Sequence, residues 1–195
     1  MRIISGQFGG RRFQPPAQMP HTRPTTDLAK EGLFNSLQHQ LDFEELKTLD
    51  LFGGTGSISY ELASRGVSDL TIVEKDPTMF AFIKKTAEQL GISGMLVLRM
   101  DVFKFILQCT DKYDLIFAGP PYALTQIDEL PKLIWERKLL RPGGRFILEH
   151  TPRNQYESFP GYASVRHYGT TLFTTFLAPS ADEQSPRVFN DEPNQ

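Results

Sequence analysis

The sequence predicts an α/β fold, a mainly parallel sheet covered by helices on both faces. Three observations carry this. From Lys47 onward, short apolar runs alternate with helical patterns. The first run stops at the glycine turn Gly53-Gly54-Thr55-Gly56. Two β-rich runs close in sequence, YASVRHYG and TTLFTTFL, end the pattern. Parallel neighbours need helical crossovers, whereas a close-spaced terminal pair suits antiparallel addition.

Residues 1–15 read as a short hairpin, with Ile3 and Ile4 in one arm, a turn over Gly6 to Gly10, and a return through Arg11 to Phe13. The proline-punctuated stretch that follows disfavours helix. A helix opens at Thr25 or Thr26 with Asp27 in its first turn, and Ala29, Leu33, Leu37 and Leu41 recur every four residues with Phe34 beside them. Strands are expected over 48–52, 69–74, 95–99, 113–118 and 145–149, and helices over 57–65, 77–90, 101–109 and 127–138. With the terminal pair, the sheet has seven strands. The chain divides into a basic hairpin arm and loop (1–24), the main domain (25–179) and a polar tail (180–195).

A chain of 195 residues suffices for one domain with a sizeable core. No apolar run can span a bilayer and no basic-then-apolar leader opens the chain, so a cytoplasmic protein away from membranes is expected. The single cysteine, Cys109, excludes a disulfide framework and lies on an apolar helical face with Phe105 and Ile106, as a small core residue would. His21, His39 and His167 are scattered and suggest no metal site. The net charge of −2 conceals an asymmetry. Residues 1–30 carry Arg2, Arg11, Arg12, Arg23 and Lys30 against Asp27, whereas the tail is acidic. A polyanion would meet the basic end, through phosphate contacts.

Candidate ligand contacts gather where parallel strands end. Asp50 and Gly53, Gly54 and Gly56 close the first strand, Glu74 the second, Asp101 follows the third, and Gly119-Pro120-Pro121-Tyr122 closes the fourth. Glycines permit positive φ and close backbone approach at a helix N-terminus. A nicotinamide enzyme would favour another glycine soon after Gly56, where the chain has Ser57-Ile58-Ser59. S-adenosyl-L-methionine fits better, with the glycines beside its methionine part, Glu74 on the ribose hydroxyls and Asp101 near the adenine amine. Asp101 can equally cap the helix it opens, and Asp50 can stabilise the turn.

Taken in order, RIISGQFGGRRF, TRPTTDLAKEGLFNSL, LDLFGGTGSISYELASRG, VEKD, YDLIFAGPPY, LLRPGGRFILEH and RHYGTTLFTTF resemble the RsmD family of 16S ribosomal RNA guanine-N2 methyltransferases, within the Rossmann-like class I adenosylmethionine-dependent fold. The resemblance runs from Met1 to about Leu177. It implies methylation of a guanine N2 amine in 16S rRNA, free or in a partly assembled small ribosomal subunit, by an enzyme expected to be monomeric. It also implies that Arg11, Arg12, Arg23 and Thr25 help hold the RNA, and that Arg166 lies near the substrate. His150 matches the family's VEH as a supporting residue rather than a base.

One departure stands out. The family's amine motif is normally DPPY, and this chain has Gly119 in place of the acid. That side chain would accept a hydrogen bond from the target amine and steer its lone pair. Pro120 still offers a carbonyl, Pro121 stiffens the loop and Tyr122 can stack on a flipped base. Losing one preorganised contact of this kind costs roughly 3–4 kcal/mol, about 10²–10³ in rate. The expectation is therefore a weakened catalyst, with two alternatives: a cofactor- or RNA-binding protein that has lost its chemistry, or a methyltransferase for a DNA or protein amine.

Overall fold

The computed structural model describes residues 1–17 and 25–181. Seven strands form one sheet: β1 (Lys47–Leu51), β2 (Asp69–Glu74), β3 (Met95–Arg99), β4 (Tyr113–Ala118), β5 (Leu140–His150), β6 (Tyr162–Tyr168) and β7 (Thr171–Leu177). Their order is β3-β2-β1-β4-β5-β7-β6. Strands β1 to β5 pair in parallel, and β7 and β6 add antiparallel. The order reverses between β1 and β4, which leaves a crevice at their carboxyl ends.

Helices α1 (Asp27–Leu37), α2 (Ser57–Ser64), α3 (Pro77–Leu90), α4 (Val102–Gln108) and α5 (Glu129–Glu136) cover the sheet. Strand residues alternate between faces, so two cores form. Leu33, Phe34, Ile58, Leu62 and Ile83 pack with Ile72, Leu115, Phe117 and Ile147 on one face. Phe105, Ile106, Leu130 and Ile134 pack with Leu49, Leu51, Ile116 and Leu148 on the other. Local signals explain the sharpest boundary: α3 starts with Asp76 accepting from the Thr78 and Met79 amides at 2.9 Å, with Pro77 behind it, and ends at Gly91 with φ 67°.

Some expected boundaries move. The first helix stops at Leu37 rather than reaching Leu41, and the Gln40 side chain donates back to the Ser36 carbonyl at 3.0 Å. The expected helix 127–138 shortens to Glu129–Glu136, and Lys138 adopts φ 52°. β5 begins at Leu140, earlier than 145, because Leu140 pairs with Tyr113 before a register shift over the Pro-Gly-Gly turn. β1 ends at Leu51 because Phe52 turns to φ 66°. Cys109 is half-buried beside the second core, its thiol 3.9 Å from the Tyr113 hydroxyl.

The N-terminal hairpin forms with one bridge, Arg2 to Arg12, plus backbone bonds Ile3 N to Arg11 O (3.0 Å) and Gly10 N to Ile3 O (2.9 Å). It is docked rather than free. Ile3 and Phe8 enter the first core. Glu61 of α2, fully buried, accepts from the amides of Ile4 (2.7 Å) and Ser5 (3.1 Å) and from Arg65 Nε (2.9 Å). Lys30 of α1, also fully buried, donates to the Arg2 carbonyl and to Ser57 Oγ (3.0 Å), with Glu61 at 3.9 Å. Burial lowers the Lys30 pKa, and Glu61 opposes that shift. All eight residues of α2 are consequently buried, although its sequence suggested a helix apolar on one face.

Lys30 therefore leaves the basic surface inferred from sequence, and Arg2 faces Asp27 at 3.6 Å. Arg11 and Arg12 remain exposed.

Removing one member of a buried charge pair strands the other. Glu61→Gln is expected to lower the unfolding free energy by about 3–5 kcal/mol, measured by urea denaturation, with part recovered when Lys30→Met is added. A change below about 1 kcal/mol would fall in the range of exposed pairs and deny Glu61 this role.

Candidate active site

Period-two alternation brings four positions to one face at the carboxyl edge of the sheet. Leu49 and Leu51 enter the core under α4 and α5, so Asp50 between them turns toward α2. In the same way Glu74 follows Ile72, Gly119 follows Phe117 and Glu149 follows Ile147 on the side packed by α1, α2 and α3.

Asp50 is 2% exposed and accepts from Ser59 Oγ at 2.5 Å. Burial pushes its pKa up to about 7, Ser59 pulls against this, and the charges of Glu74 and Glu149 raise it further. Ser59 of α2 thus gives Asp50 a hydrogen-bond donor. Glu74 ties the glycine turn to the next helix, its Oε2 accepting from Gly54 N and its Oε1 from Asp76 N, both at 2.7 Å. Burial raises its pKa, and these amides hold the shift back. Asp101 caps α4 through the amides of Phe103 (3.1 Å) and Lys104 (3.3 Å), and Lys75 pairs with its other oxygen at 3.3 Å. The cap reading is realised, and the residue still borders the cavity described next.

That cavity, of about 620 Å³, runs from Glu74 and Asp101 to Gly119 and Pro121, between apolar walls that include Phe52, Met79, Val102, Phe103 and Leu124. Its size falls within the roughly 300–1,000 Å³ of small-molecule sites. The left-handed φ of Phe52, which costs on the order of 1–3 kcal/mol, belongs to this wall. The neighbouring turn, which does not line the cavity but is tied to its Glu74 wall through Gly54, requires glycine. A Cβ on Gly53 would lie 2.5 Å from Ile72 Cγ2, and Gly56 starts α2 at φ 77°.

S-adenosylmethionine fits these residues. Apolar walls suit an adenine ring, and carboxylates at the strand ends suit ribose hydroxyls. Of the buried acids only Glu74 lines the cavity; Asp50 and Glu149 lie on the same face of the neighbouring strand ends, and no ion pair within 4 Å neutralises any of the three among the described residues, which suits a cationic ligand nearby.

The Gly119-Pro120-Pro121-Tyr122 loop closes the far end. Gly119 N donates to the Leu51 carbonyl at 3.3 Å, and Leu124 N to the Pro121 carbonyl at 2.8 Å. Tyr122 is 42% exposed, with its hydroxyl 3.4 Å from Thr171 Oγ1. The space beside Gly119 is not empty of acid. A Cβ there would lie 3.5 Å from Glu149 Oε2 and 3.1 Å from Phe117 Cε1. Glu149 is 4% exposed and accepts from Thr25 Oγ1 at 2.6 Å. Burial raises its pKa, opposed by the hydroxyls of Thr25 and Tyr122.

Sequence reasoning passed over Glu149. Its signal was available: a carboxylate ending the apolar run FILEH, level with the fourth strand's loop. His150, one residue on, faces the opposite core. Its Nδ1 lies 2.9 Å from the Thr151 carbonyl and its Nε2 2.7 Å from Thr174 Oγ1, with the Tyr156 ring edge-on. Burial lowers its pKa, in keeping with a supporting role.

The expected substrate contacts divide. Thr25 sits at the site through Glu149. Arg166 is exposed on the edge strand β6, opposite Phe173, which in turn pairs with Glu149. Arg11 lies over the Phe8 ring at 5.6 Å and, with Arg12, belongs to the docked hairpin. Arg23 is outside the described residues.

Strand order, glycine turn and acid-rimmed cavity together define a class I, Rossmann-like, adenosylmethionine-dependent methyltransferase. Residues 1–177 match the family described as Conserved hypothetical protein 95. Ribosomal RNA small subunit methyltransferase D of Haemophilus influenzae (strain Rd) is 31% identical over 153 residues, 76% of this chain and 78% of that protein. Its namesake in Escherichia coli (strain K12) is 28% identical over 165 residues, 85% and 82% of the two chains. A solved hypothetical protein from Thermus thermophilus superposes with a TM-score of 0.78 at 26% identity, over 92% of this chain and 99% of that one. The chain belongs to this family, whose relatives include the methyltransferases D.

Two outcomes test the site. Glu74→Ala is expected to weaken adenosylhomocysteine binding by about 1.5–3 kcal/mol, the worth of hydrogen bonds to a charged group; calorimetry showing no change removes Glu74 from cofactor contact. The second outcome concerns pH. Between the ordinary value of 3.8 and about 7, folded Asp50 keeps a proton that the unfolded chain releases. Its contribution is therefore present in acid and lost as pH rises through about 7. Relative to Asp50→Asn, the native protein should lose stability by about 1.4 kcal/mol per pH unit within that window. Parallel stability–pH curves for the two proteins would rule this out.

Proposed function

We propose that this chain transfers the methyl group of S-adenosylmethionine to the exocyclic N2 amine of a guanine in 16S rRNA, free or in a partly assembled small ribosomal subunit, as a cytoplasmic monomer. The observation that carries this reading is that the cofactor cavity reaches the amine-motif loop at Gly119 and Pro121, with the buried Glu149–Thr25 pair directly behind Gly119. A methyl donor and an amine can meet there. Bound S-adenosylmethionine supplies an electrophilic methyl group. The chain supplies position, which is most of what such a transfer requires.

In this reading the glycine turn holds the cofactor's methionine part, Glu74 its ribose hydroxyls and Asp101 its adenine. The rigid Pro120-Pro121 pair sets the loop's distance from the methyl group. Tyr122, half-exposed at the mouth, offers a face on which a flipped base stacks. Arg11, Arg12, Arg23 and Arg166 are the residues assigned to phosphate contacts, which fix register but carry no sequence information. The names of the relatives, ribosomal RNA small subunit methyltransferases, favour small-subunit rRNA over DNA or a protein amine.

The test is transfer of labelled methyl groups to naked 16S rRNA, small-subunit particles lacking the modification, large-subunit rRNA, duplex DNA and protein, followed by nucleoside chromatography. The expected product is N2-methylguanosine from small-subunit RNA only. Label in another nucleoside or in protein, or none in either form of small-subunit RNA, sinks the assignment.

A further inference from the structure

We propose that Glu149, at the end of β5, is the catalytic residue that accepts the hydrogen bond of the target amine, in place of the side chain that Gly119 lacks. The inference rests on the amine-methylation reading above.

Four observations support it. Ala118 pairs in parallel register with Leu148, so Gly119 and Glu149 follow on adjacent strands and on one face of the sheet. A side chain at 119 would start 3.5 Å from Glu149 Oε2, so the Glu149 carboxylate borders the volume such an acid would enter. Glu149 is 4% exposed, and its carboxylate has no salt-bridge partner among the described residues. A carboxyl group buried with no cation beside it is costly, and such groups are candidates for functional sites. Finally, its neighbours are the hydroxyls of Thr25, at 2.6 Å, and Tyr122. Two hydroxyls leave room among the roughly four hydrogen-bond sites of a carboxylate. Gly119 and Pro121 line the cofactor cavity itself, so an amine held by Glu149 lies beside the methyl donor.

The chemistry balances without a further reagent. The amine nitrogen attacks the methyl carbon as the carbon–sulfur bond breaks, and its electron pair passes to sulfur, leaving adenosylhomocysteine. The nitrogen then carries an extra proton, which passes to water. Glu149 accepts a hydrogen bond from an amine N–H throughout, and so keeps the lone pair aimed at the methyl carbon.

Gly119→Asp separates this assignment from a vacant acceptor position. If the acceptor were absent, restoring the acid would raise the rate about 10²-fold or more. If Glu149 supplies it, a second carboxylate crowds Glu149 and Phe117, and the rate stays level or falls.

The experiment compares the full chain with Glu149→Gln and Gly119→Asp. Transfer to small-subunit rRNA is measured beside adenosylhomocysteine binding, thermal stability and guanosine affinity for the adenosylhomocysteine complex. Glu149→Gln keeps an oxygen for Thr25 and nearly the same shape. Its kcat is expected to fall about 10²–10³-fold, with KM, cofactor affinity and melting temperature little changed. A kcat within about threefold of native, or a gain of about 10²-fold in Gly119→Asp, overturns the assignment while leaving the rRNA reading intact. If the native chain methylates no rRNA, that reading fails instead, and Glu149 is judged by binding of guanosine, adenosine and cytidine to the adenosylhomocysteine complex. Selective loss in Glu149→Gln of whichever nucleoside binds upholds the assignment; equal affinity, or binding of none, overturns it.

Discussion

The Glu61 carboxylate, sealed inside the protein, is the contact on which the placement of the other parts depends. The N-terminal hairpin has too few ladder bonds to satisfy its own backbone, and the amides of Ile4 and Ser5 are anchored instead by Glu61. Buried N–H groups must find acceptors, and a carboxylate on a helix provides two oxygens at once. Lys30 and Arg65 balance its charge. The arrangement locks the hairpin and α1 onto α2, whose first residue follows the glycine turn. An ion pair as deep as this is no large source of net stability compared with an apolar cluster of similar size. What it determines is position: α1 is held so that Thr25, just ahead of it, reaches Glu149.

The second constraint is electrostatic. Pleating directs Asp50, Glu74 and Glu149 to one side of the sheet's carboxyl edge, and burial removes the water that would separate their charges. Asp50 responds by holding its proton to about pH 7. Acids gathered at one edge in this way disfavour an anionic ligand beside them, and Glu74 alone of the three lines the cavity itself.

Gly119 changes meaning once the sheet is assembled. In the motif alone it is a missing acid. In the fold, an adjacent strand brings a buried carboxylate to the edge of the same volume, and Thr25 from the N-terminal side fixes its orientation. Ser59 is similar: nothing in its local sequence gives it a partner, and in the fold it supplies Asp50 with a hydrogen-bond donor. Both residues lie beside a carboxylate, and neither can be interpreted without it.

The sequence by itself determined the sheet, its covering helices and the acids and glycines at the carboxyl edge, because these rest on local periodicity, caps and glycine geometry. The helix over 77–90 has Asp76, Pro77 and Gly91 at its ends, and its limits match the structure. Glu74 and Asp101 were legible as strand-end and helix-opening acids for the same reason. Boundaries failed where local pattern met a non-local demand, as at Phe52, whose strained φ belongs to the cavity wall, and at β5, extended by pairing with β4. Only tertiary structure decided that Lys30 is interior, that α2 is covered all round, and that Glu149 stands beside Gly119. Each of these joins elements far apart in the chain, and neither hydropathy nor spacing encodes which residues such elements bring into contact.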